Sequence, residues 1–387
     1  MAENRFTGGF AVTGHPQVLV DEQEIRLDGD DTSSGQVNIT EPFDPTKIRV
    51  ETKNAQMDAL IKRIKNDEID LSPDFQRQSV WKDEAKSRLI ESMLIRIPLP
   101  AFYMDASDES RWLVVDGLQR LTTIKEFIVD GSLSLTGLEF LTEYDGETFS
   151  GLPRSLQRRI EETDIVLYLI QPQTPPNVKF DIFRRINTGG EPLSLQEIRH
   201  ALNQGKVTKL LPRMVSNEFK RATAQGVSPI RMDDRECALR FLAFTLHSPD
   251  DYEEDNFDLF LNNTMSKLNE MDGLKLKGYE ELFKKTMECA CSVFGDRAFR
   301  KQYEGVEHRY PVNKALFEAW SVNIGRLNDG ERQTLIEKRD VLVDKFKDLM
   351  GSDKDFESSV SYGTGSKKNV RYRFNRIAEI IQETIND

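Results

Sequence analysis

Apolar positions along the chain change spacing several times, and each change marks an element. Met57, Leu60, Ile61 and Ile64 recur at helical spacing, and Ile69 and Leu71 then make a short apolar step into Pro73. A second helix is expected over 82–94, with Leu89, Ile90, Met93 and Leu94 inward, stopped by the Pro98 to Pro100 segment. Residues 101–104 and 112–115 have strand length and composition and flank a turn-like stretch. Directly after the second comes Asp116-Gly117-Leu118-Gln119-Arg120, and helical spacing then runs to Val129. A helix over 153–162 and a buried strand over 165–170 follow, before Pro172, Pro175 and Pro176 mark a boundary. Phe180, Phe183 and Ile186 form a helical stripe that ends at Asn187-Thr188-Gly189-Gly190. From Ser194 the pattern is helical almost throughout, over 194–204, 206–216, 233–247, 255–270, 278–294, 312–325, 330–349 and 371–385.

This order predicts an α+β half followed by an all-helical half. Three parts are expected: a flexible acidic arm over 1–47, an α+β domain with short strands over 48–205, and a helical domain over 206–387. The arm is rich in Gly, Asp, Ser and Thr, with a short strand expected at 17–20. It holds nine acids against Arg5, Arg26 and Lys47, which is half of the net charge of −12, so the rest of the chain is near balance. A chain-wide basic footprint for DNA is therefore missing, and any contact with nucleic acid must be local. No apolar run reaches the roughly 18 residues of a membrane span, and the start of the chain lacks a basic and then apolar signal, so a cytoplasmic protein is expected. Cys237, Cys289 and Cys291 and four scattered histidines supply neither a disulfide framework nor zinc-ligand spacing, so no metal site is assigned. The cysteine pair reads as apolar filler on a helix.

Three segments carry residues suited to chemistry. In VVDGLQRLTTI, a carboxylate at the end of a buried strand meets a glycine, and Gln119, Arg120, Thr122 and Thr123 stand on the opening turn of a helix. Free N–H groups and the helix dipole favour anions there, and a guanidinium forks onto phosphate oxygens. An Asp-Gly turn of purely structural purpose has the same signature. In PDFQRQSVW, Gln76 and Arg77 lie between Phe75 and Trp81. In FRRINTGGEPLSLQEIRHA, Arg184 and Arg185 precede a Thr-Gly-Gly turn, and Ser194 with Glu197 has the form of a capping box.

Taken together, QR-x3-W, VVDG-x-QRLTT and INTGG-x-x-L-x-x-x-EIR resemble the N-terminal domain of GmrSD-type restriction endonucleases, a branch of the ParB/sulfiredoxin-like superfamily, over about residues 50–205. The resemblance implies a ParB/sulfiredoxin-like domain that binds and hydrolyses nucleoside triphosphates; beside such phosphates Asp116 could orient a water or hold a divalent ion, with Mg2+ the candidate cofactor. Carried over by position, Asp116, Gln119 and Arg120 are the candidate catalytic residues. Gln76, Arg77, Gly117, Thr122, Thr123, Asn187, Thr188 and Gly189 are the candidate nucleotide-binding residues. Leu118 stands where the family usually has glutamine, which removes one hydrogen-bonding group unless that side chain faces the core. His308 has no following histidine partner, so a His-Asn-His nuclease is not expected. The resemblance further implies DNA and a separate nuclease or defence protein as partners. A non-catalytic switch that binds nucleotide or DNA is the alternative, and a metal-dependent nuclease a second one. Lys367, Lys368, Arg371, Arg373 and Arg376, interleaved with Tyr372 and Phe374, form the densest basic cluster and the candidate nucleic-acid contact. The outer side of an amphipathic helix would look the same.

Overall fold

In a computed structural model of the chain, the structure describes residues 47–71, 81–186, 193–253 and 256–387. The acidic arm and its expected strand, together with Gln76, Arg77, Asn187, Thr188 and Gly189, lie outside the described residues.

The architecture is α+β: a small mixed sheet followed by a helical region. The sheet runs β1-β5-β3-β4-β2, with β1 Val50–Gln56, β2 Ile69–Asp70, β3 Phe102–Asp105, β4 Trp112–Asp116 and β5 Asp164–Ile170. Parallel pairing joins β5 to β3 and β4 to β2, while β1 with β5 and β3 with β4 are antiparallel. Side-chain alternation divides the sheet into two faces. Phe102, Met104, Trp112, Val114, Ile165, Leu167 and Leu169 point to one core. That core is closed by α1 Met57–Lys65, α2 Asp83–Leu94, α3 Leu118–Ile124 and α4 Arg154–Glu161. The opposite face sets Val115 and Ile170 against Phe180 and Phe183 of α5 Pro176–Ile186 and Ile198 and Ala201 of α6 Leu195–Leu202. A buried pair, Lys179 with Asp105 at 3.1 Å, ties α5 to the end of β3.

Most of the expected elements are present, but β1 is an addition to the sequence reading. Its VETKNAQ side chains are exposed save for a half-buried Ala55, so the strand has no apolar face to detect and is specified by pairing with β5 alone. The expected capping box forms at Ser194, whose Oγ accepts from the Glu197 N–H at 3.1 Å while Glu197 accepts from the Ser194 N–H at 2.6 Å.

The helical region comprises α7 Lys206–Met214, α8 Asn217–Ala222, α9 Asp233–Leu246, α10 Phe257–Glu270, α11 Gly273–Phe294, α12 Lys314–Arg326, α13 Asp329–Glu337, α14 Arg339–Ser352, α15 Lys354–Ser359 and α16 Lys367–Asn386. The helix expected over 330–349 is two, broken at Lys338. Cys289 and Cys291 pack against the helical core as fillers, and burial pushes the Cys289 thiol up to about 11. A network of buried charges runs through the same core: Glu318 meets Arg240 at 3.1 Å and also Arg373, and Glu236 meets Lys314 at 3.2 Å and Arg240 at 2.8 Å. Burial opposes ionisation of Glu236, but Lys314, Arg240 and Arg199 outweigh it and hold its carboxyl far below the usual range. Since Arg199 belongs to α6, the network reaches from the helical core to the helix that closes the sheet. No described helix is long and apolar enough to cross a membrane.

One buried carboxylate organises the loop beneath the first core. Glu91 on α2 accepts the backbone N–H groups of Glu139, Phe140 and Leu141 at 3.0, 2.7 and 2.9 Å. Burial pushes its carboxyl up, but the three donors and Arg88 prevail and hold it below the ordinary range. A carboxyl depressed by folding stabilises above its unfolded pKa of about 4.3, and that contribution is lost as pH falls through the folded value. Glu91→Gln should therefore lower stability at pH 7 by about 1–3 kcal/mol in denaturant melts. The gap to the wild type should close below about pH 4.

Candidate functional site

Asp116 owes its position to an irregularity in the sheet. Tyr103 pairs with Asp116 but Met104 pairs with Val114, so Val115 is an extra residue in β4. Without that bulge Asp116 would continue the phase of Trp112 and Val114 into the first core; the extra residue brings it opposite Tyr103 instead. Gly117 follows with φ of +102°, the left-handed conformation that favours glycine, and α3 starts at once. A Cβ on Gly117 would lie 2.5 Å from the Phe102 ring and 3.2 Å from Arg120 Nη2. The glycine is thus required by the backbone angle and by the close approach of protein groups.

Arg120 returns from the first turn of α3 into this corner. Its Nη2 donates to Asp116 Oδ2 at 2.7 Å and to the Ala101 carbonyl at 3.2 Å, and its Nη1 donates to the Pro100 carbonyl. The guanidinium carbon stands 4.5 Å from the centre of the Phe102 ring, a cation–π arrangement. Burial pushes the Asp116 carboxyl above its ordinary range, although Arg120 and the Gly117 N–H both favour the charged form. Burial likewise lowers Arg120, with Asp116 opposing. The anion at the start of α3 is therefore already present as Asp116, and the guanidinium that would fork onto a phosphate is held by four protein partners.

The remaining residues of the motif divide by the helical period. Gln119 and Thr122 are half-buried, whereas Thr123 is fully buried and its hydroxyl donates to the Gln119 carbonyl at 2.8 Å. Leu118 packs against the first core. The motif's missing glutamine is therefore replaced by a side chain with a packing role. A cleft of about 220 Å³ lies elsewhere, lined by Asn177, Asn203, Asn262 and Ser266 among others, and takes in none of the turn.

The basic C-terminal cluster is not a single positive face. Arg373 lies on the buried side of α16, where its guanidinium meets Glu318 and donates to the Thr364 carbonyl at 2.7 Å. Lys367 and Arg371 share Glu253, and Arg376 bridges Asp353 at 3.1 Å and also meets Glu379. Lys368 is exposed, without an ion-pair partner among the described residues. The helical period places Arg373 in the apolar stripe of Val370, Phe374 and Ile377, and acids meet three of the other four cations. Arg154 and Arg159 also have structural partners, Glu161 at 2.8 Å and the Leu94 carbonyl at 2.8 Å.

Residues 58–203 match the family described as GmrSD restriction endonuclease, N-terminal domain. They form a GmrSD-type N-terminal domain. No curated protein and no solved structure matches the chain. The matched span contains the whole sheet except β1, all of the Asp116 to Arg120 turn, and α1 to α6. In this GmrSD-type domain the bulge, the left-handed glycine and the Arg120 clamp are one unit. Gly117→Ala should cost about 1–3 kcal/mol, through backbone strain and the clash with Phe102. Arg120→Ala should cost about 2–4 kcal/mol, since it leaves Asp116 half-buried without its cation and two carbonyls without donors. Urea melts of both variants check this, and a change within 0.5 kcal/mol for either would contradict the clamp.

Proposed function

We propose that the chain is the nucleotide-binding, nucleoside-triphosphate-hydrolysing component of a DNA-directed restriction or defence system. The family described as a restriction endonuclease supports the DNA-directed setting. The observation that carries the nucleotide reading is the Asp116 to Arg120 turn: a bulged strand end, a left-handed glycine and a helix start that set a carboxylate and a guanidinium 2.7 Å apart at the rim of the sheet.

Charge decides how such a corner would meet a polyphosphate. Asp116 repels an anion, and burial pushes its carboxyl up despite Arg120 and the Gly117 N–H. Asp116 would hold a divalent cation, which would supply the positive charge a polyphosphate needs; Mg2+ commonly takes one or two carboxylates with substrate phosphate oxygens and water. The described residues include no group of three His, Cys, Asp or Glu side chains placed to hold a metal alone, so the phosphates themselves would have to complete the ion's shell. In that arrangement Asp116 would hold the ion or orient the attacking water, Gln119 would hydrogen-bond the nucleophile or a phosphate, and Arg120 would neutralise charge after release from Pro100 and Ala101.

The need for that release supports a second reading. An arginine bound to two carbonyls and a ring is poised to exchange partners when a phosphate arrives, and the exchange would loosen the approach to β3 without any bond being cleaved. A nucleotide-binding switch has this behaviour.

Asp116→Asn separates the readings better than a change at Arg120, because the amide keeps the shape of the corner and removes the charge that recruits a cation. Phosphate release from the four ribonucleoside triphosphates with Mg2+, with and without DNA, should be present in the wild type and fall at least about 100-fold in Asp116→Asn, the scale of losing one positioned catalytic group. Saturable binding with no phosphate release in the wild type would select the switch. Unchanged turnover in Asp116→Asn would remove the turn from the chemistry.

A further inference from the structure

One row of residues crosses the sheet from its open edge to the Asp116 corner. Thr52 of β1 pairs with Tyr168 of β5, Tyr168 with Tyr103 of β3, and Tyr103 with Asp116 of β4. Residues paired in this way project from the same face. The two tyrosine rings stack with centres 4.7 Å apart and planes 19° from parallel, so each ring stands off its own strand at the spacing of the sheet. They differ in their surroundings. Tyr103 packs against the cluster under α5, and burial, with Tyr168 and Asp116 adding to it, pushes its phenol up. Tyr168 joins none of the apolar clusters, and among the described residues the next in the row is the exposed Thr52 on the exposed edge strand. Neither hydroxyl has a hydrogen-bond partner among the described residues, so the pair presents ring surface toward Thr52 and free hydroxyls at the ring tips.

We infer that Tyr168, backed by Tyr103, is the platform on which the base of the nucleotide stacks, in the open space above Thr52, while the phosphates lie toward Asp116. This inference rests on the nucleotide reading of the Asp116 turn and adds to it where the base goes. The row spans three strand spacings, roughly 14 Å, a length comparable to an extended nucleoside triphosphate. Thr52 is small enough to leave the outer face of the Tyr168 ring accessible. Because every base has a π-face and contact with the face of a ring reads no donor or acceptor pattern, the site should accept all four bases with little discrimination. A large residue at 52 would fill the place of the base.

The test compares ligands with and without a base. Isothermal titration in Mg2+ with each of the four ribonucleoside triphosphates and with inorganic tripolyphosphate would be run on the wild type, Tyr168→Ala, Tyr168→Phe and Thr52→Phe. The expected result is that the four nucleotides bind the wild type within several-fold of one another and about tenfold or more tightly than tripolyphosphate. Tyr168→Ala, which removes the ring, and Thr52→Phe, which fills the slot from an exposed strand, should each weaken nucleotides on the order of tenfold and leave tripolyphosphate unchanged. Tyr168→Phe should keep the wild-type affinities. If tripolyphosphate binds but both variants hold nucleotides as tightly as the wild type, the platform is wrong and the phosphate reading stands. If the wild type binds neither kind of ligand, both readings fall together. Loss of both ligands in Tyr168→Ala alone would reflect folding, and Thr52→Phe then decides between the two results.

Discussion

The placement of the Arg120 guanidinium is the constraint on which the rest of the site depends. Taking a guanidinium out of water costs several kcal/mol unless charge and hydrogen bonds replace the lost hydration. Here a carboxylate, two backbone carbonyls and an aromatic face replace it. Each partner is supplied by a different device. Asp116 is turned toward the corner by the bulge in β4, Gly117 takes the left-handed angle that lets α3 begin beside it, and the carbonyls come from the segment entering β3. Loss of any one leaves the others with a buried, unbalanced charge, which is why the corner behaves as a unit.

The same corner ends a row of residues that crosses the sheet. Covering one face by α1 to α4 and part of the other by α5 and α6 leaves the row from Thr52 to Asp116 at the margin between buried and exposed. Aromatic surface and a carboxylate are thus lined up along a single register of the sheet, with the Arg120 guanidinium of α3 beside the carboxylate. Farther along the chain, buried ion pairs do a different job: Glu236, Glu318, Arg240, Arg373 and Lys314 fix how α9, α12 and α16 pack, and Arg199 extends that network to α6. Ion pairs of this kind add little net stability over apolar packing, but they penalise any arrangement that leaves one of them unpaired.

Elements with a buried face were legible in the sequence, because burial imposes a period. The stripes of α1, α2 and α16 and the short strands β3, β4 and β5 are of this kind. β1 was not legible, since an exposed edge strand is defined by its partner and has no pattern of its own. Nor were α8 and α15, at six residues each, long enough to display one. In the site, the Asp116-Gly117 turn and Arg120 were readable as a motif, but the bulge that aims Asp116 exists only in the pairing of two strands. Arg373 had a usable signal that charge concealed: it lies three residues after Val370 and four before Ile377, on the apolar stripe. Tyr103 and Tyr168 could be placed on strands by alternation, yet their stacking depends on β3 and β5 being parallel neighbours, which periodicity does not encode.

Phosphate that reaches the Asp116 to Arg120 turn should draw Arg120 away from Pro100 and Ala101. Amide hydrogen exchange with and without nucleoside triphosphate and Mg2+ tests it most directly, because the readout is local and requires no substitution. The account predicts protection over residues 116–123 together with altered exchange over 100–104, and little change in the interior of α9 and α12. Protection confined to the helical region, with residues 100–123 exchanging as in the free protein, would contradict it.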